Sequence, residues 1–214
     1  MNLSIIVTEY CNLACPSCMH GIPYLKDRKH FPVSYFEWLS GILSGIQIEA
    51  LIIEGGEPTL HPDFIRLAPR MRQWFKPRSL ILTTNGAQLR DVEGVLNNFD
   101  EIQLTEYRGQ NDEEVAWARS RNIPGLYAGF GLPGGEQFSL DASPYENDPK
   151  PPMCRWNNCP IIWGETIWIC AGAERLNKGI SLKDADWESK LKTINRLEIC
   201  RSCFVPPVWR IKDK

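Results

Sequence analysis

Short apolar runs rich in β-branched residues alternate with helical stretches along most of this chain, and the early runs each stop at a loop of unusual composition. LSIIVTE (residues 3–9) runs into CNLACPSC, IEALII (48–53) runs into EGGEP, and SLILTTNG (79–86) ends in its own turn. Runs of this length and composition predict buried strands. Between them Phe36, Leu39, Ile42, Leu43 and Ile46 recur at helical spacing behind Pro32, predicting a helix over 33–46. The same reading predicts helices over 61–75, 88–98 and 112–121 and strands over 101–106 and 123–130.

Strands that alternate with helices pair in parallel through right-handed crossovers, so the expected class is α/β, as an open layer or a barrel. In both, chemistry gathers beyond the carboxyl ends of the strands. The loops CNLACPSC, EGGEP and TNG should therefore meet at one edge.

Composition bounds the rest. With 43% apolar and 23% charged residues and a net charge of −2, the chain is globular in character and has no overall electrostatic pull toward nucleic acid or anionic lipid. A local basic stretch, Arg66, Arg70, Arg72, Lys76 and Arg78, reads as the solvated face of a helix. No signal peptide and no run long enough for a bilayer span is expected, which suggests a cytoplasmic setting. There, eight closely grouped cysteines point to metal or redox chemistry in place of disulfides.

Three of those cysteines, Cys11, Cys15 and Cys18, lie in one loop. A structural zinc takes four protein ligands, and three thiols underfill it. A [4Fe–4S] cube held by three thiolates has a fourth iron open to a ligand that is not protein.

Cys11, Cys15 and Cys18 in CxxxCxxC spacing after the first strand, with Gly55, Gly56, Glu57 and Pro58 after the second, resemble the radical S-adenosylmethionine (radical SAM) enzymes. The resemblance covers residues 1–130. It implies a partial (β/α) barrel, abbreviated to about five or six βα units. It implies that Cys11, Cys15 and Cys18 hold a [4Fe–4S] cluster whose open iron chelates SAM. It also implies that the Gly55–Pro58 turn contacts the methionine amino group, and that Asn85, Gln103 and Thr105 lie where the family often touches SAM. One departure is Ser17, where the family commonly has an aromatic residue beside the adenine. Met19 and His20 are near enough in sequence to stand in.

Residues 131–152, rich in Pro, Gly and acids, read as a connector to a cysteine-rich lobe over 153–214. IIWGETIWIC predicts two short strands around Gly164 and Glu165, and 186–197 predicts a helix. A hairpin cysteine, one before it and a C-terminal CxxC are similar to the twitch domain, a shortened relative of the SPASM domain. The similarity implies Cys154, Cys170, Cys200 and Cys203 as ligands of an auxiliary [4Fe–4S] cluster, with Cys159 able to replace Cys154. A closed four-cysteine zinc site is the alternative for that lobe. Trp156, Trp163, Trp168, Trp187 and Trp209 are expected to cover the cluster and fill a small core, with lining a substrate pocket as the alternative role.

The expected activity is that of a radical SAM oxidoreductase acting on a small polar molecule by dehydrogenation, such as an alcohol carbon of a sugar or cyclitol, with flavodoxin or ferredoxin as electron donor. Radical modification of a peptide or nucleoside is the runner-up. The first strand starts at residue 3, which leaves no room ahead of it for a leader-binding domain, so a peptide substrate would need one supplied separately. A non-catalytic protein stapled by zinc is the alternative of another class.

Overall fold

A computed structural model describes residues 1–15, 18, 20–107, 109–123, 125–130, 160–170, 177–195 and 199. Its frame is one eight-stranded sheet, built from β1 (Asn2–Ile6), β2 (Ala50–Glu54), β3 (Ser79–Thr84), β4 (Glu101–Glu106), β5 (Leu126–Phe130), β6 (Ile161–Trp163), β7 (Thr166–Trp168) and β8 (Ile180–Ser181). The order is β5-β4-β3-β2-β1-β6-β7-β8. Every neighbouring pair from β5 to β6 is parallel, and β7 and β8 add antiparallel. This is the open, partial barrel-like α/β fold expected.

Five strands precede the connector, and the sixth parallel strand comes after it. β6 aligns with β1 through Ser4↔Ile161 and Ile5↔Ile162, and the Ser4 amide donates to the Pro160 carbonyl at 2.8 Å. The hairpin expected from IIWGETIWIC thus forms, and it continues the main sheet. An apolar IIW triplet suits this place, because β1 is buried and both of its edges need partners.

The helices are α1 (Val33–Ile42), α2 (Phe64–Phe75), α3 (Asp112–Ser120) and α4 (Trp187–Thr193). Phe36 and Leu39 of α1, Phe64, Leu67, Ala68, Met71 and Phe75 of α2, and Val115 and Ala118 of α3 join one core with Leu3, Ile5, Leu51, Ile53, Leu80, Leu82, Ile102 and Leu104. Those strand residues alternate to one face. Removing such a side chain, as in Leu51→Ala, costs about 2–5 kcal/mol. On the opposite face sit Glu54, Thr83 and Gln103, all half-buried.

Helix limits are shorter than periodicity predicts. α1 stops at Ile42, and Gly45 turns the chain at φ 90°. α2 starts at Phe64 because Pro58–Leu60 forms its own 3₁₀ turn and His61 is held aside, its Nε2 against the Phe31 carbonyl at 2.8 Å. The stretch predicted helical over 88–98 is instead a 3₁₀ segment, Glu93–Asn98, preceded by turns. Leu89, Val92 and Val95 recur every three residues, the period of a 3₁₀ helix, with Gly94 among them. α4 ends at Thr193, short of the predicted 197. No helix among the described residues is long and apolar enough to cross a membrane.

Arg66, Arg70, Arg72 and Arg78 each face a carboxylate: Asp63 at 2.9 Å, Glu37 at 3.8 Å, Asp100 at 2.6 Å and Glu49 at 3.6 Å. The basic stretch is a paired, solvated face, as read from the sequence.

Candidate functional site

Three loops meet where the strand order places them, at the carboxyl ends of β1, β2 and β3. The contact between the first two is made by backbone. Gly56 N–H donates to the Thr8 carbonyl at 2.8 Å, and Glu57 N–H to the Tyr10 carbonyl at 2.7 Å. A Cβ on Gly55 would overlap the Thr8 carbonyl, and one on Gly56 the Tyr10 carbonyl. The glycines are therefore required for two loops to touch.

Glu57 then ties in β3. Its fully buried carboxylate accepts from Thr59 N–H at 3.1 Å, Thr59 Oγ1 at 2.7 Å, Thr84 Oγ1 at 2.6 Å and Asn85 N–H at 2.6 Å. Burial pushes the carboxyl above its usual range, and these four bonds pull it partly back. Pro58 is buried at the start of the 3₁₀ turn. With the Glu57 side chain turned inward, what the turn can offer a ligand is backbone.

Asn85 completes the junction. Its side-chain amide donates to Asn12 Oδ1 at 2.9 Å and lies 3.6 Å from Cys11 Sγ, while its own Oδ1 accepts from Ala87 N–H at 3.0 Å. Leu13 N–H also points at Cys11 Sγ, at 3.4 Å. Cys18 N–H donates to the Cys15 carbonyl at 3.1 Å, closing the turn that carries the second and third thiols.

Burial pushes the Cys11 thiol up to about 11, with Glu57, Cys15 and Cys18 adding to the shift against the Leu13 amide. Cys15 is raised by burial and then by Cys18. Cys11 and Cys15 are thus held toward their protonated forms, and a ligand that needs thiolates must displace those protons. No three His, Cys, Asp or Glu side chains among the described residues converge as a single metal ion would require. A cube spreads its thiolates further apart than one ion does. Three thiols in one loop, with N–H donors aimed at one sulfur, fit the donor set of a [4Fe–4S] cluster.

Gln103 faces the open side of the sheet, its Nε2 donating to Glu101 Oε1 at 2.8 Å and its Oε1 3.4 Å from Thr83 Oγ1. The Thr105 carbonyl accepts from Asn111 at 2.7 Å. Cys170 is half-buried beside the core. Cys154, Cys159, Cys200 and Cys203, and with them Ser17, Met19, Trp156 and Trp209, lie outside the described residues.

Three residues that sequence reasoning passed over belong here. Asn111, buried just before α3, links the Asn85 carbonyl, the Thr105 carbonyl and the Tyr107 amide. Tyr107 is pushed above its usual range by burial and then by the charges of Cys15, Cys18, Cys11 and Glu57. Glu9, 5% exposed, accepts from Lys29 N–H at 2.9 Å and Trp163 Nε1–H at 2.6 Å, joining the cysteine loop to β6. An acid ending an apolar strand was the available signal for Glu9.

The fold and site define an open α/β partial barrel with a cysteine loop, a glycine turn and an asparagine packed at one edge. No protein-family model matches the chain. It is 34% identical over 98 residues to GTP 3′,8-cyclase of Campylobacter jejuni, which is 45% of this chain and 31% of the relative. It is 30% identical over 89 residues to molybdenum cofactor biosynthesis protein 1 of Bos taurus, or 41% of this chain and 14% of that one. The similarity thus spans less than a third of either relative. Among solved structures it is similar to BtrN in complex with AdoMet and 2-DOIA, with a TM-score of 0.65 and 15% identity over 94% of this chain and 87% of that one. At that identity the likeness speaks for the fold. Together these comparisons support the superfamily that the two motifs resemble, the radical SAM enzymes, whose cofactors are a [4Fe–4S] cluster and SAM.

Proposed function

We propose that the chain is a radical SAM oxidoreductase acting on a small polar molecule by dehydrogenation. The observation that carries this is the junction itself: Asn85 reaches Cys11 and Asn12 while Gly56 and Glu57 hold the backbone of Thr8 and Tyr10. One ligand resting on this edge would touch all three loops.

Cys11, Cys15 and Cys18 would hold the cluster, and the Gly55–Pro58 turn, Asn85, Gln103 and Thr105 would line the place for SAM. When bound, cluster and SAM supply an electron and the 5′-deoxyadenosyl radical that removes hydrogen from an unactivated C–H bond. The protein's part is to position and to exclude water. Glu57, buried under the junction, fixes the β2 and β3 loops relative to each other.

A second, auxiliary [4Fe–4S] cluster held by Cys170, Cys200, Cys203 and either Cys154 or Cys159 belongs to the same proposal. It would accept the electron left on the substrate or position it. Flavodoxin or ferredoxin would serve as the external donor. Nucleoside modification is the second reading, favoured by the similarity to GTP 3′,8-cyclase.

The test is anaerobic reconstitution followed by reductant and SAM. Release of 5′-deoxyadenosine, lost in Cys15→Ala, supports the proposal, and no release or release retained in that variant overturns it. Deuterium passing from a labelled polyol into 5′-deoxyadenosine supports dehydrogenation; passage from labelled GTP would favour the second reading. Iron falling from about eight to about four per chain on removing Cys170, Cys200 and Cys203 together supports the auxiliary cluster.

A further inference from the structure

Among the described residues, two buried side-chain atoms have no hydrogen-bond partner: Glu54 Oε1, an acceptor, and Trp168 Nε1, a donor. Leaving such groups unpaired costs about 1–3 kcal/mol each, and buried indole N–H groups usually find a partner. A pair of this kind points to a ligand that supplies the missing bonds.

Both atoms belong to the same face of the sheet. Glu54 ends β2 and is two residues beyond Ile52, so the two share a face. Ile52 aligns with Ser4, Ser4 with Ile161, and Ile161 with Trp168. That is the open face, opposite α1, α2 and α3. The two residues are three strands apart and two residues out of line, about 16 Å along a flat sheet at 4.8 Å per strand and 3.3 Å per residue, and closer across the hollow of a curved one.

The two side chains are held in place. Glu54 Oε2 is 3.9 Å from His20 Nε2, and the His20 ring meets Trp163 edge-on at 6.3 Å between centroids. Trp163 has already given its N–H to Glu9. The Trp168 ring lies so close to Gly179 that a Cβ there would overlap it, which fixes the indole by backbone. Neither Glu54 Oε1 nor Trp168 Nε1 takes part in the three-loop junction.

We propose that Glu54 and Trp168 are the polar ends of the substrate subsite. It takes a small neutral or cationic molecule bearing several hydroxyls, or a hydroxyl and an amine. A hydroxyl or ammonium donates to Glu54 Oε1, and an oxygen of the same molecule accepts from Trp168 Nε1. A carboxylate or phosphate beside Glu54 is rejected by like charge. As a substrate site this rests on the proposed function; as a binding site it is tested apart from it.

Three probes of one ring and different charge decide it: D-glucosamine, D-glucose and D-glucuronate, titrated by ligand-observed NMR against the reconstituted protein, with SAM affinity measured alongside. Wild type is expected to bind glucosamine and glucose at least about tenfold more tightly than glucuronate, the size of one charge-assisted hydrogen bond. Glu54→Gln should erase that preference and weaken glucosamine about tenfold, and Trp168→Phe should weaken both favoured probes about fivefold, with SAM affinity unchanged in each. Binding of none of the probes, equal binding of glucuronate, or a preference retained in Glu54→Gln overturns the proposal. So does lost SAM affinity in Glu54→Gln, which would move Glu54 into the cofactor site. Wild type that keeps the probe preference yet makes no 5′-deoxyadenosine would instead sink the proposed function and leave the subsite standing.

Discussion

The Asn111 side-chain amide donates to the Asn85 carbonyl at 2.6 Å, joining the loop after β3 to the residue that precedes α3. The same amide serves the Thr105 carbonyl, and its Oδ1 takes the Tyr107 N–H at 2.7 Å. Asn111→Ala removes three hydrogen bonds to backbone in a region only 3% exposed at Asn111 itself. A loss of about 3 kcal/mol is expected, read as a lower midpoint in denaturant. An unchanged midpoint would show that water replaces the side chain there.

Gly56→Ala tests the contact between the cysteine loop and the glycine turn. The added methyl meets the Tyr10 carbonyl, a backbone atom that cannot swing aside. The two loops must part, breaking the Gly56 and Glu57 amide bonds. Iron bound per chain after reconstitution should fall by about half or more, while far-ultraviolet circular dichroism stays as in wild type because α1, α2 and the sheet lie elsewhere. Full iron binding by this variant would mean the loops need no contact.

Trp163→Phe and Glu9→Gln form a double-mutant cycle. Trp163 Nε1 is 2.6 Å from Glu9 Oε1, with Glu9 nearly buried. Each single change should destabilise by about 1–3 kcal/mol, and the pair by less than the sum, giving a coupling above about 1 kcal/mol. Additive effects would show that the hairpin and the cysteine loop are independent.

Asp100 gives a pH dependence with a definite sign. Burial works to raise its carboxyl, but the Arg72 guanidinium at 2.6 Å and the Leu80 amide at 2.7 Å outweigh that and hold it below the usual range. A carboxyl lower in the folded than in the unfolded chain stabilises fully above its unfolded value and loses the effect as pH falls through the folded one. The pair is solvent-screened, so Asp100→Asn should cost about 1 kcal/mol or less near neutral pH. In thermal melts the gap between variant and wild type should close as pH falls below about 4. A gap that persists in acid would assign the loss to shape and not to charge.

All strands but the two-residue β8 were legible because each is an apolar run closed by a loop, and the Cys11–Cys18 and Gly55–Pro58 loops were legible because such residues have few uses. Three features were not. IIW reads equally well as an arm of a separate hairpin or as an edge partner of β1, since three apolar residues carry no record of which strand they will meet. Asn111 and Tyr107 look like ordinary turn and strand-end residues, and their importance lies in partners 26 residues away, as with Asn85, or on other strands. Leu89, Val92 and Val95 were read at a helical period although their spacing of three also suits the 3₁₀ segment that forms.

The register Ser4↔Ile161 has a kinetic consequence. During synthesis β1 leaves the ribosome early, while its second neighbour is made more than a hundred residues later, so until then one edge of the central strand stays exposed to other chains. Ring closure over so long a stretch is slow, and refolding of the intact chain should wait on the arrival of the β6–β7 hairpin. Slowing translation near the connector, or cutting the chain there, should therefore favour aggregation over assembly.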